Sequence, residues 1–254
     1  MQGEEVLEFD LLISKTHDLR ISRNQELVKI LSTQQVDFVV FLAFDVGGAK
    51  YLKSSQKNKD FISNNLRIME STFTILSEFS TPFVFASTQM SQVQNSTYGT
   101  LKSIGEKYTR ALGGLNMKLW NVYGNETDVD RFHVISDFIR MALENRKIAM
   151  LTDGQERRDL LHADDCAKSI FKVILNFQSL VGEGEVHIAS FTWTKILDIA
   201  NIVSRFTGAE VIAGEQQDTT YLQTEIAPDL KYKDFSEPDI SLETGIQRLI
   251  FSAN

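Results

Sequence analysis

One pair of residues in this chain is spaced for proton transfer. The run Tyr98-Gly99-Thr100-Leu101-Lys102 sets a phenol and an ammonium four residues apart. At the start of a helix, residues i and i+4 share a face, so the two groups can meet. A nearby positive charge favours the phenolate and lowers a tyrosine pKa. Such a phenol is a general base for a hydroxyl proton. The same spacing also arises as an exposed pair on a solvated helix. Context shifts the weight between the two readings: of the six tyrosines only Tyr98 has a lysine four residues on. It also follows Ser87-Thr88, which close an apolar run, and a hydroxyl there can hold a substrate oxygen beside the phenol.

The elements that must position these groups alternate between apolar runs and amphipathic stretches, the pattern of a parallel α/β sheet. Strands are expected at Val6–Phe9, at Val36–Phe44 (VDFVVFLAF, apolar enough for a strand buried on both faces), at Pro82–Ala86 and at Met117–Val122. Helices are expected at Asn24–Thr33, Asp60–Phe79, Tyr98–Leu112, Asp137–Asn145, Asp164–Gln178 and Thr194–Thr207. The last is closed by Gly208. This predicts a doubly wound sheet over residues 1–123, with 160–190 returning to it, and a smaller C-terminal lobe from 124–159 and 191–254. Ligands of such sheets bind beyond the carboxyl ends of the strands.

Bulk properties exclude several classes. Hydrophobic residues make up 43% and charged ones 24% of 254 residues, as in ordinary globular proteins. The net charge of −8 gives no reason to expect a nucleic-acid partner. Cys166 stands alone, so no internal disulfide forms and a reducing compartment is expected. No apolar run approaches the roughly 18 residues of a membrane helix, and the N-terminus does not resemble a signal peptide, so the cytoplasm is the expected location.

Several runs, taken together and in order, resemble the extended short-chain dehydrogenase/reductases, the NAD-dependent epimerase/dehydratase family. They are VDFVVFLAFDVGG, FISNNLRIMESTFTIL, PFVFASTQM, STYGTLKSIGEKY, KLWNVYGN, DGQERRDLLHADDCAKSI and SEPDISLETGI. The Val46-Gly47-Gly48 loop and Asn64-Asn65 are most similar to the GDP-fucose synthase and GDP-mannose epimerase branch. The resemblance implies a Rossmann-type fold, a nucleotide-sugar substrate and NAD as cofactor, with NADP the alternative. It implies Tyr98 as base, and Lys102 as its tuner and the binder of the nicotinamide ribose. Thr88 would be the catalytic hydroxyl, or Ser87 if the strand end is shifted by one. Leu42 and Ala43 would line the cofactor, and Asp18 and Leu19 would contact adenine. Asn121 would touch the sugar, and Arg158 would pair with its diphosphate in bidentate fashion. Asp18 could equally cap a helix, Arg158 could pair with Asp159 or Asp164, and His162 reads as structural. A homodimer through the 60–79 and 98–112 helices is also implied, their added apolar residues being Ile68, Met69, Phe73, Ile104 and Tyr108.

One family signature is missing from this sequence. The family opens with a strand and a Gly-x-x-Gly-x-x-Gly turn that cradles the pyrophosphate at a helix N-terminus. The glycines before residue 50 are Gly3, Gly47 and Gly48 only. Val6–Phe9 then reads as the second strand, with Asp10 as the acidic residue that binds the adenine ribose and favours NAD. On that reading about 25 to 30 residues are expected to be absent. Either they belong to a longer chain, or the fold serves as a binding or scaffolding module. Retention of Tyr98, Lys102 and Thr88 favours the enzyme. Gln89-Met90 follow Thr88 where 4,6-dehydratases carry an acid pair, and no cysteine lies nearby as in 3,5-epimerases. Epimerisation at one carbon is therefore expected, with keto-sugar reduction next.

Overall fold

The protein is described by a computed structural model covering residues 5–93, 95–216 and 226–253. Asn24 opens α1 (Gln25–Thr33) by accepting from the Glu26 and Leu27 N–H groups. There follow β1 (Val39–Phe41), α2 (Ala49–Ser55), α3 (Lys59–Phe79) and β2 (Phe83–Thr88). Ser96 caps α4 (Thr97–Ala111), which leads into β3 (Leu115–Leu119) and β4 (Asn121–Tyr123). The chain continues through α5 (Val134–Asn145), β5 (Lys147–Ala149), β6 (Arg157–His162), α6 (Ala163–Leu175) and α7 (Phe177–Leu180). It closes with β7 (Glu185–Ile188), β8 (Trp193–Lys195), α8 (Ile196–Thr207), β9 (Glu210–Ile212) and α9 (Leu242–Ser252).

The main sheet runs β1-β2-β3-β7, all parallel, with Phe41 opposite Phe85 and Thr88 opposite Leu119. Alternation along β2 divides its side chains between two cores. Phe83 and Phe85 join Phe41 of β1, Met69 and Phe73 of α3 and Leu101 of α4. Val84 joins Met117, Val173, Phe177 and Ile188, with α6 and α7. This is a doubly wound, Rossmann-type arrangement. Gly105 lets α4 settle on the sheet, since a Cβ there would lie 2.5 Å from the Phe85 ring. A second sheet joins β4 and β6 in parallel and β6 and β8 antiparallel, and a third pairs β5 with β9. α5, α8 and α9 pack over these around Ile135, Phe138, Ile148, Ile199, Val203 and Ile246.

Five expectations need correction. Val6–Phe9 forms no strand; it is extended chain with Val6 68% exposed. A strand needs a neighbour, and among the described residues none lies beside it. The 36–44 run supplies only a three-residue strand, and among the described residues that strand is the sheet's edge, paired on β2's side alone. The 117–122 strand is two: β3 ends at Leu119, and the chain shifts at Trp120 so that β4 pairs with β6 instead. The 164–178 helix breaks at Asn176, whose φ −108° and ψ 14° are not helical. Met69 and Phe73, counted as surplus for a dimer face, are buried in this chain's own core. No helix among the described residues is long and apolar enough to cross a membrane.

Candidate active site

The carboxyl ends of β1, β2 and β3 lie along one edge of the sheet, and the residues with chemistry gather there. The chain leaves β2 through a 3-10 turn, Gln89–Gln92, and then enters α4. Gly99 permits this: a Cβ there would stand 2.0 Å from the Met90 carbonyl oxygen. The first turn of α4 therefore presses onto the turn after Thr88, carrying Tyr98 with it.

Tyr98 and Lys102 are both buried, so the exposed-pair reading does not hold. The Lys102 ammonium donates to the Ala86 carbonyl at 2.5 Å. It also lies 3.8 Å from the centroid of Phe44 and 4.8 Å from that of Phe85. Aromatic faces partly replace lost water around a cation. Burial still dominates and lowers the Lys102 pKa to about 7, opposed by the Glu106 carboxylate. Phe44 meets the Tyr98 ring edge to face at 5.8 Å, so one ring contacts both members of the pair.

The two hydroxyls divide. Ser87 donates to Glu106 at 2.5 Å, in a buried group where Glu106 also meets Lys118 at 3.8 Å and Lys118 meets Glu185 at 3.1 Å. Ser87 is thus engaged under α4. Thr88 caps the 3-10 turn, accepting from Met90 N–H at 3.2 Å and donating to Gln89 at 3.1 Å. A polar line then crosses the second sheet. Gln89 donates to Asn121 at 3.4 Å, and Asn121 donates to the Asp159 carbonyl at 2.9 Å. Arg158 follows on β6, half-buried, with one guanidinium nitrogen on the Arg157 carbonyl. The Asp159 carboxylate turns towards the 190–192 segment, accepting from Ser190 N–H at 2.7 Å, with burial raising its pKa.

The loop after β1 is fixed by side chains that sequence reasoning missed. Asp45 accepts from Tyr51 at 2.6 Å and from Arg131 at 2.8 Å, and Asn65 holds its backbone on both sides. Gly48 N–H donates to the Arg131 carbonyl at 2.9 Å, and a Cβ on Gly48 would meet the Phe132 oxygen at 2.1 Å. Leu42, at the end of β1, is 53% exposed beside half-buried Ala43. Glu106 was within reach of the same i, i+4 rule that found Lys102. Phe44 read only as the last residue of a strand.

The residues assigned to the adenosine end are further from readiness. The Asp18 carboxylate is held by Arg20 through two 2.8 Å bonds and lies below the usual carboxylate range, the Arg20 hydrogen bond being the largest cause. It caps no α-helix; Asn24 does that. Leu19 packs into the core on the α3 and α4 side. Asp10 sits in an exposed turn, accepting from Leu12 N–H at 2.7 Å. His162 caps α6 by accepting from Asp164 N–H, the structural role expected of it. Burial holds the Cys166 thiol at about 12, which leaves it unreactive.

Comparison with known proteins bears on the fold and the family. A putative UDP-glucose 4-epimerase of Methanocaldococcus jannaschii is 28% identical over 168 residues, covering 61% of this chain and 52% of the relative. The chain spans about half the length of the curated relatives it matches. Among solved structures, an epimerase of Methanothermobacter thermautotrophicus superposes with TM-score 0.75 at 18% identity, over 93% of this chain and 77% of its own. UDP-glucuronic acid 4-epimerase of Bacillus cereus, solved with UDP-glucuronic acid and NAD, gives 0.75 at 20% identity, over 91% and 80%. Both likenesses establish the fold. The profile of the NAD dependent epimerase/dehydratase family matches residues 2–189, and the chain belongs to that family.

Proposed function

We propose that this chain acts on a nucleotide-activated sugar, oxidising and re-reducing one carbon as an epimerase, with net reduction of a keto sugar as the nearest variant. The observation that carries the reading is the burial of Tyr98 and Lys102 against one ring, Phe44, with Lys102 bonded to the Ala86 carbonyl two residues before Thr88 on β2. Tyr98 takes the proton of the reacting hydroxyl and returns it. Lys102 holds positive charge near the phenol. Thr88 orients the sugar oxygen, and Asn121 and Arg158 face the sugar and its diphosphate. A planar guanidinium suits the latter.

NAD, when bound, supplies the hydride acceptor; NADP is the alternative. The donor set suits its reacting end in kind, with Tyr98 and Lys102 against Phe44 of the loop that follows β1, and with exposed Leu42 and half-buried Ala43 just before it in that loop. Asp10, Asp18 and Leu19 are the residues proposed for adenosine. No glycine-rich turn occurs in this sequence to hold the pyrophosphate, so we expect this chain by itself to bind NAD weakly. Losing several charge-assisted hydrogen bonds of roughly 1.5 to 3 kcal/mol each weakens binding by orders of magnitude.

A second reading, a nucleotide-sugar-binding module without turnover, is favoured by the covered state of Lys102 and the Arg20 lock on Asp18. The names of the relatives make UDP-sugars the first ligands to try. Calorimetry with UDP-sugars and NAD, followed by NMR of sugar interconversion, separates the readings. Turnover that Tyr98→Phe abolishes supports the enzyme; sugar-nucleotide binding with no turnover at saturating NAD supports the module. Pairing of α3 and α4 in a homodimer, with Leu66 and Tyr108 exposed on them, and a cytoplasmic location complete the proposal. Light scattering checks the dimer.

A further inference from the structure

Phe44 stands against both members of the working pair. Its ring centroid lies 3.8 Å from Lys102 Nζ and 5.8 Å from the Tyr98 ring. An ammonium carries three donors and no acceptor. One goes to Ala86, Phe85 flanks the group, and the face of Phe44 occupies ground that a ligand hydroxyl needs to reach Nζ. Phe44 is itself only half-buried, two residues past the exposed Leu42, so the segment carrying the ring borders solvent.

We propose that Phe44 is the positioning residue of the Tyr98–Lys102 pair, and that its ring is what the ribose of a bound dinucleotide must displace to reach Lys102. The inference rests on the roles given above to Tyr98 and Lys102. With the ring seated the ammonium is buried, and burial holds its pKa at about 7. Glu106, one turn on along α4, is the charge that opposes this fall, and Glu106 is itself shared with Lys118 of β3. Once the ring turns out, water and ligand hydroxyls reach Nζ, the ammonium regains its charge, and Tyr98 gains a cation beside it. A ligand that must first open such a site binds more weakly in proportion to the closed fraction.

Competitive acetylation of the intact chain, followed by peptide mass spectrometry from about pH 6 to about pH 11, tests this. Reactivity of Lys102 relative to exposed Lys107 on the same helix gives a titration midpoint and a high-pH plateau separately. Phe44→Ala should raise the plateau about ten-fold and move the midpoint upward, and Phe44→Leu, which keeps bulk without an aromatic face, should do less of both. If both variants fold and leave plateau and midpoint within about two-fold of the parent, the proposal is overturned. If Phe44→Ala does not fold, the Phe44→Leu midpoint decides: an upward shift supports the proposal and an unchanged one overturns it. The functional reading fails separately, if Lys102→Met leaves sugar turnover intact; the cover over Lys102 would then stand without it.

Discussion

The stretch from β2 to α4 and the stretch before α1 are held in different ways. Residues 83–106 are fixed by contacts from distant parts of the chain: Phe41 and Phe44 from β1 and its loop, Met69 and Phe73 from α3, Lys118 from β3. Residues 5–23 are held mainly by their own neighbours, as in Asp10 on Leu12 N–H, Ser14 on Thr16 and Asp18 on Arg20. Their longer ties include Arg23 to Glu78, Ile21 to Ser71, and Leu19 packed against the core on the α3 and α4 side. The proposed proton-transfer groups lie in the first stretch, and the three proposed adenosine contacts, Asp10, Asp18 and Leu19, lie in the second, where Leu19 alone packs into the core. The proposed reacting end is therefore built in advance, and the polar part of the proposed adenosine end is not.

The largest expected effect separates these ends directly. Tyr98→Phe should lower turnover by about 10²–10⁴-fold with little change in affinity for the nucleotide sugar. Asp10→Ala should change stability by less than about 0.5 kcal/mol, because it is an exposed turn residue. Steady-state kinetics and thermal melts read the two. A similar loss of turnover from both substitutions would break the contrast.

Next comes the packing that seats Tyr98. Gly99→Ala places a Cβ against the Met90 backbone at 2.0 Å, where the neighbour is not a flexible side-chain end. Destabilisation of about 1–3 kcal/mol is expected, as for overpacked cores. Turnover should fall further than stability alone explains, since α4 must lift. A melt and kinetics within about 0.5 kcal/mol of the parent would show that the turn yields freely.

The pair at the heart of the site was legible because i, i+4 is a local relation. Its setting was not. Phe44 reaches Lys102 only because parallel pairing sets Phe41 opposite Phe85 and so brings the β1 loop over α4. Ser87 and Thr88 could not be told apart until alternation along β2 sent Ser87 to Glu106. The 6–9 strand failed for a related reason: apolar, β-prone residues state a preference, and pairing needs an edge to meet. The 36–44 run is apolar enough for a central strand, yet only three of its residues pair. Helices fared better, since α1 and α4 are signalled by side-chain caps, α8 by the glycine at its end, and all of them and α3 by periodicity within their own spans.

Burial of Lys102 also predicts a pH dependence. Its pKa is about 7 in the folded chain, below the ordinary 10.5, so between those values the unfolded state binds the additional proton. Stability should then rise with pH from about 7 to about 10.5, by at most about 1.4 kcal/mol per unit, and be flat in this term outside that window. Denaturant melts across the window read the slope. Lys102→Met should remove it, and an unchanged slope in that variant would assign it to other groups.

The smallest effects sharpen how the N-terminal stretch is held. Asn24 is buried. Its oxygen accepts from Glu26 and Leu27 N–H at 3.0 Å, and its amide donates to the Thr16 carbonyl at 2.8 Å and the Asp18 carbonyl at 3.0 Å. One side chain thus caps α1 and ties the preceding loop to it. Asn24→Ala should cost about 1–2 kcal/mol, the upper part of the range for a lost cap, because two carbonyls lose their donor as well. Asn24→Asp keeps the cap acceptor but turns an anion towards those carbonyls, so it should recover only part. The Asp18–Arg20 pair is more exposed and bridges residues two apart, so Asp18→Ala should cost less than about 0.5 kcal/mol. Chemical denaturation orders the three. If Asp18→Ala proves the costliest, the stretch is anchored by its ion pair rather than by the Asn24 cap, and Asp18 is then too committed to the fold to serve an adenine.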